Sequence, residues 1–245
     1  MNPSRVWTLV KGELLRLNKY NVFAISILVA IIWGAVLYFL DSNVLASVLP
    51  LVLIVDSTMM SIMYIGSVMF FEKTESTIST MLVTPATNAE LVLSKVLANT
   101  LHNLFSSVLI IIVFVIIKDV QIHYVLILVG IVLATAFHTI LGLFMAYYQK
   151  NFTSMLVNIM IFGFALMAPS ILYQLNVIHG DWLQYVMLIN PIQAGAEVIG
   201  GGFVGYTYVW QYYFSLAYLI IGIYLLYRFL VLPKFQDYAI RQSGV

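Results

Sequence analysis

Apolar residues in this chain run on without interruption, and the polar residues mark where each run stops. Six runs, at residues 22–40, 44–71, 96–117, 124–148, 155–175 and 209–232, reach the ~20 residues that cross a bilayer as a helix. Five hold no Asp, Glu or Lys; the second carries one carboxylate, Asp56, and Arg228 stands at the end of the last. The first run is uncharged and longer than a signal-peptide core, and no A-x-A-like site follows it, so it reads as an anchor. The pattern predicts an all-α integral membrane protein with six transmembrane helices, a single transmembrane domain over residues 1–245.

Periodic, amphipathic patterns occur only between the runs. In residues 1–20, Asn2 is placed to cap a helix with Pro3 at its first position. Val6, Trp7, Val10, Leu14 and Leu17 then share a face, opposite Arg5, Lys11, Arg16 and Lys19, with Glu13 intruding on the apolar stripe. This predicts an interfacial helix, its apolar face among acyl chains and its cations at the headgroups; an unstructured basic flank is the alternative. In residues 72–90, Ile78, Met81 and Leu82 fall at i, i+3, i+4 and mark a short helix that Thr84-Pro85 ends. Thr87 and Glu90 have capping-box spacing and should open the third span. The short helix needs something to cover its apolar side, a partner or the membrane surface. Residues 176–208 hold no Lys or Arg and contain two apolar halves, each too short to span. They predict a re-entrant or interfacial helix pair hinged at Asn190-Pro191, with Gly200, Gly201, Gly202 and Gly205 turning the chain back into the last span.

Composition sharpens the class. The chain is 62% apolar and 9% charged, where soluble domains run about 45–50% and about 25%. A domain of this size could not bury that much apolar surface in water. A net charge of +1 suggests no nucleic-acid partner, and the lack of cysteine excludes disulfides and thiolate metal sites. Lys and Arg set the orientation: ten of the eleven fall on one side, and only Lys118 on the other. That bias places both termini in the cytoplasm and the protein in the cell membrane. No paired-histidine spacing marks a metal site, and no G-x-x-x-x-G-K-[ST] loop is present to cradle ATP. The reading is therefore of a non-catalytic membrane subunit with no catalytic, cofactor-binding or metal-binding residues.

Residues 71–97 read FEKTESTISTMLVTPATNAELVLSKVL. This string resembles the signature of type-2 ABC transporter permeases: a Glu ending the second span, then "GT-x-x-x-L-x-x-TP", then "EL-x-x-x-K". Glu72, Thr77, Leu82, Thr84, Pro85, Glu90, Leu91 and Lys95 match, and Ser76 stands where the family has Gly. Leu188-Ile189-Asn190-Pro191 and Gly200-Gly201 look like the family's "LNP…LGG" region. The resemblance implies half of an ATP-driven exporter: two six-helix subunits, the second a copy or a homologue, enclose a path, and residues 72–90 form a coupling helix in a separate ABC ATPase that holds ATP and Mg. Glu72, Thr77, Ile78, Met81, Leu82, Thr84 and Pro85 would then carry the coupling. Small permeases of this family export drugs, antimicrobial peptides or lipid-linked glycans; the expectation here is a drug, a peptide or another amphiphile, with glycan export as the alternative. An ATP-independent channel or ion-coupled carrier is the rival from another class, and a scaffold or sensor a third.

The polar residues inside the runs bear on that choice. Asp56 lies ~20 Å along a helix from Phe71, and an intramembrane carboxylate must face protein or water. It either contacts substrate or a cation in the path or joins helices. Glu197 is a second candidate path-lining residue. His102, with Asn99 and Asn103, and His138, with Thr139, are read as interhelical hydrogen-bonding groups; they would be the conducting groups of a carrier.

Overall fold

A computed structural model of the chain describes residues 1–39, 42–117, 121–149, 151–180 and 182–243, apart from the side chains of 42–47, 79 and 240–243. Lys118 and Lys150 lie outside these, as does the side chain of Arg241. Among the described residues the fold is helical, with one isolated antiparallel bridge, Ile122 to Phe203.

Helix α1, Pro3–Lys19, begins as the sequence predicts, with the Asn2 side chain accepting from the Ser4 N–H at 3.0 Å. Asn21, in the left-handed region at φ 59°, turns the chain into α2, Val22–Tyr38, at 63° to α1. The second span joins α3, Ser42–Val55, to α4, Ser61–Thr74, through a π-helical turn at Asp56–Met60. The short α5, Thr77–Leu82, precedes α6, Asn88–Ile117, α7, Tyr124–Ala146, and α8, Phe152–Gln174. Beyond them come α9, Leu183–Met187, α10, Pro191–Gly200, α11, Trp210–Leu225, and α12, Leu232–Ser243. Five stretches are long and apolar enough to cross a membrane: Val48–Thr74, Asn88–Ile117, Tyr124–Ala146, Phe152–Gln174 and Trp210–Ala239. Among the described residues these make five, and six when the bent pair α1 plus α2 is counted as one span. The chain is an all-α, multi-pass membrane protein.

Two boundaries differ from the apolar runs. The third span starts at Asn88 rather than near residue 96, because the Thr87–Glu90 capping box opens it and Lys95 is neutralised within it. The last continues to Ser243 rather than stopping near 232. Pro233 is tolerated there because a π-helical turn, Leu226–Val231, shifts the carbonyls ahead of its ring out of the register it would block.

At the centre stands α7, packed against α4, α6, α10 and α11. Small residues allow the close approaches, as in other membrane bundles. A Cβ at Gly142 would lie 3.1 Å from the Ile62 Cα, and one at Gly130 would lie 2.9 Å from the Val198 carbonyl oxygen. In contrast, only 22% of the most apolar stretch of α8 and 17% of that in Trp210–Ala239 are buried, against 67% in Val48–Thr74. Those two form the outer wall of the subunit.

The outer helix pair forms where Asn190-Pro191 breaks the chain. Asn190 caps α10, and its Nδ2 donates at 2.7 Å to the Leu166 carbonyl, just ahead of Pro169 in α8. Ser170 donates to Gln193 at 2.6 Å, so α10 is fixed to α8 at the proline. Residues 191–196 are all buried. Gly200 and Gly201 are close-approach positions under the Tyr206 and Tyr212 rings, and of the four glycines expected to turn the chain Gly205 alone takes a positive φ, 90°.

Gly142→Ala should therefore force α4 and α7 apart and lower the thermal unfolding midpoint in detergent, an overpacking cost of about 1–3 kcal/mol. Gly12, with no atom near its would-be Cβ, is the control: Gly12→Ala should leave the midpoint unchanged or raise it.

Candidate functional site

At the end of the bundle that holds both termini, four charged side chains from three helices meet. Lys95 of α6 is 1% exposed and Glu72 of α4 is 0% exposed. The Lys95 ammonium donates to Glu13 at 2.8 Å and to Glu72, and the Arg16 guanidinium donates to Glu13 at 3.0 Å and to Glu72. Two cations alternate with two carboxylates, so the cluster is neutral, which is the condition for burying charge at tolerable cost. Glu13 does not spoil the apolar stripe of α1: it shares the buried face with Val6, Val10 and Leu17, which rest against the protein rather than among acyl chains.

The two ends of α1 are tied down as well. Glu90 accepts from the Asn2 N–H at 2.7 Å, from the Thr87 N–H at 2.9 Å and from Arg5 at 3.3 Å, while Arg5 also donates to the Pro85 carbonyl. At the far end of α1, Glu75 accepts from Lys19 at 3.1 Å and from Tyr20 at 2.8 Å. These two bonds, that from Lys19 foremost, hold its carboxyl below the usual carboxylate range.

Helix α5 hangs below this cluster. Ser76 enters it in the left-handed region at φ 55°, the position where the related signature has Gly. Thr77 donates to the Glu72 carbonyl at 3.2 Å. The apolar side of α5, expected to await a partner, is instead covered by α12 of the same chain. Ile78 is buried in a cluster with Leu91, Phe235, Tyr238 and Ala239, and Met81 and Leu82 pack half-buried against it. Tyr238 donates to the Met69 carbonyl at 3.4 Å, and Tyr227 to that of Ala89 at 2.9 Å. Among the described side chains of residues 77–86, Thr80, Val83, Thr84 and Pro85 face outward, with Val83 85% exposed. Glu72 cannot touch a partner directly; its place is inside, as a lock between α1, α4 and α6.

A polar seam continues from Lys95 along α6. Asn99 donates to the Ser61 carbonyl at 3.2 Å and to Thr139 at 2.7 Å, joining α6 to α4 and α7. Asn103 donates to the Asp56 carbonyl at 2.8 Å and accepts from Thr135 at 2.6 Å. Ser106 and Ser107 donate to the two Asp56 carboxylate oxygens at 3.0 and 2.7 Å. Asp56 is buried in the π-helical turn as a helix-joining group. His102 meets Ser26 of α2 at 3.0 Å, the interhelical bond expected; His138 bonds the Ala134 carbonyl of its own helix at 2.7 Å. Glu197 is half-buried in a small cleft, accepting from Gln193 at 2.9 Å and from Tyr206 at 2.6 Å. Burial, and then the bond to Glu197, pushes the Tyr206 hydroxyl above its ordinary range. Among the described residues no group of three or more His, Asp or Glu side chains is arranged to hold a metal ion.

A profile of the fluoroquinolones export permease protein family matches residues 4–243, which takes in all four members of the buried charge cluster. The chain belongs to that family. Fluoroquinolones export permease proteins of two Mycobacterium tuberculosis strains, CDC 1551 / Oshkosh and ATCC 25618 / H37Rv, are each 26% identical over 216 residues, 88% of either chain. Family and motif resemblance agree on an exporter permease of the ABC type. In this permease the motif residues Glu72 and Lys95 hold each other and the middle of α1, and Glu90 holds its first turn. Sequence reading missed Glu13 and Arg16 as their partners. The available signal was Glu13 itself, a carboxylate on an apolar stripe, and the spacing of Lys95, Asn99, Asn103, Ser106 and Ser107 along one side of a helix.

Lys95→Ala leaves Glu13 and Glu72 facing each other with Arg16 alone between them. It should destabilise the protein by about 3–5 kcal/mol, the cost of breaking a buried pair, whereas Lys19→Ala, at an exposed pair, should cost below ~1 kcal/mol. Thermal unfolding of both variants in one detergent makes the comparison. Asp56→Asn turns an acceptor into a donor opposite a serine and should lower stability by roughly 1–3 kcal/mol. Unchanged stability with altered substrate preference would instead assign Asp56 to the transport path.

Proposed function

We propose that this chain is half of an ATP-driven exporter, moving an amphiphilic drug of the fluoroquinolone type out of the cell. Its relatives' name supplies the substrate class. In this reading both termini and α5 are cytoplasmic, as the ten-to-one distribution of Lys and Arg argues. A second copy or a homologous permease completes the path, against the sparsely buried faces of α8 and α11. ATP and Mg belong to a separate ABC ATPase, and this chain does no chemistry of its own.

The observation that carries the reading is the mounting of α5. The helix is too short to be stable alone, yet it is anchored on three sides, to Glu72 through Thr77, to α1 through the Arg5–Pro85 contact and to α12 through Ile78. Push on its outward face would reach the second, third and last spans together. That suits a part that transmits force from a partner. The seam at Asp56, Asn99 and Asn103 is bonded from helix to helix, which favours a scaffold over the conducting series of an ion-coupled carrier.

Val83→Glu places a charge at the most exposed apolar position of the segment without touching its internal packing. It should weaken ATPase binding by roughly thirtyfold, about 2 kcal/mol, or leave hydrolysis running without transport. Val204→Glu, exposed at the opposite end, is the control. ATP turnover and drug flux measured on the same reconstituted complex test this; wild-type values of both in Val83→Glu would defeat the coupling role. Robust ion flux through the lone chain in liposomes would favour a channel.

A further inference from the structure

The four cations of α1 are not alike. Arg5 pairs with Glu90, Arg16 with Glu13 and Glu72, and Lys19 with Glu75. Lys11 has no carboxylate partner among the described residues; its ammonium lies 5.9 Å from the centre of the Trp7 ring. Lys11, expected on the arc opposite Trp7 and Leu14, stands beside them instead, because positions four and three apart in a helix are neighbours: Trp7, Lys11, Leu14, Leu15 and Asn18 occupy one arc of α1, next to the arc of Val6, Val10, Glu13 and Leu17 that packs on the protein. Trp7 and Leu15 are 53% and 71% exposed.

This arc opens on a cleft of about 500 Å³ in the elbow between α1 and α2, lined by Lys11, Leu14, Leu15, Asn18 and Phe23. Its floor is firm. Phe23 meets the His102 ring edge-on at 4.8 Å and the Phe105 ring at 5.4 Å. The elbow lies where the polar α1 gives way to the uncharged α2, the level at which headgroups give way to acyl chains. A cation with no carboxylate partner and, two helical turns along, an amide stand on this largely apolar cleft, which is complementary to an amphiphile with a negative head.

We propose that the α1–α2 elbow binds one anionic glycerophospholipid, its phosphate on Lys11 and Asn18 and an acyl chain along Leu14, Leu15 and Phe23. The bound lipid would then form the outer wall of α1 and keep its inner face pressed on α6. The site does not depend on how transport is driven.

The test uses the purified full chain in phosphatidylcholine nanodiscs titrated with phosphatidylglycerol, with retained lipid counted by native mass spectrometry. One phosphatidylglycerol should stay with each chain, preferred about fivefold over phosphatidylcholine, as expected for one cation at an anionic headgroup. Lys11→Gln should abolish that preference, Lys11→Arg should keep it, and Leu15→Glu should reduce retention of both lipids. A chain whose only tryptophan is Trp7 should be quenched by brominated phosphatidylglycerol, and less so after Lys11→Gln. Equal retention of the two lipids by the wild type, or unchanged phosphatidylglycerol retention in Lys11→Gln, would overturn the proposal. So would displacement of the lipid by soluble glycerol phosphate, which would make the site one for free phosphate, or a change of oligomeric state in place of lipid loss, which would assign the elbow to a second copy.

Discussion

Among apolar helices with hydrocarbon around them, a polar side chain has no solvent to fall back on, and its partner must come from another helix. The third span, α6, turns that constraint into architecture. Lys95, Asn99, Asn103, Ser106 and Ser107 succeed one another along its length, and between them they bond three other helices and the π-helical turn: Glu13 on α1, Glu72 and Ser61 on α4, Asp56 in the turn, Thr135 and Thr139 on α7. Apolar packing alone would let these helices slide, since lipid tails offer nearly the same contacts. Directional bonds every turn or so fix their rotation and depth.

The π-helical turn at Asp56–Met60 belongs to the same design. Inserting a residue into the ladder rotates the rest of the span, so that Asp56 faces α6 while Ser61, one turn later, reaches Asn99 and Thr139. On the other side Met59 lies against Gly163 of α8, where a side chain would make the methionine move aside. The bulge thus joins the buried half of the subunit to its outer wall.

At the end holding both termini, the charged residues of the family signature, Glu72, Glu90 and Lys95, face inward, while its Thr84 and Pro85 face outward. Glu72 and Lys95 neutralise each other with Glu13 and Arg16; Glu90 caps α6 and holds the first turn of α1; Thr77 ties α5 to Glu72. These residues specify the mount, and Thr80, Val83, Thr84 and Pro85 are left exposed. The exception is Ser76: its φ of 55° is one that glycine adopts at no cost, and a side chain here carries a strain of about 1–2 kcal/mol. The motif's Gly is a backbone requirement, and the backbone keeps its shape without it.

The spans, the N-cap at Asn2, the Thr87–Glu90 box, the break at Asn190-Pro191 and the short α5 were all determined by the sequence alone. Each comes from a local rule: uninterrupted apolar length, a side chain reaching its own backbone, or a proline that lacks an N–H. Tertiary structure alone decided what the amphipathic faces meet. Periodicity reports that Ile78, Met81 and Leu82 share a side and that Val6, Val10 and Leu17 share another, but lipid, a partner and the same chain are equally apolar coverings. That α12 covers the first, and α6 and α4 the second, depends on contacts between residues far apart in the chain, such as Ile78 with the Phe235–Ala239 turn. The same holds for charge. Glu13 looked misplaced because its partner, Lys95, stands 82 residues away, and a buried ion cluster can be recognised only once all four of its members share one place.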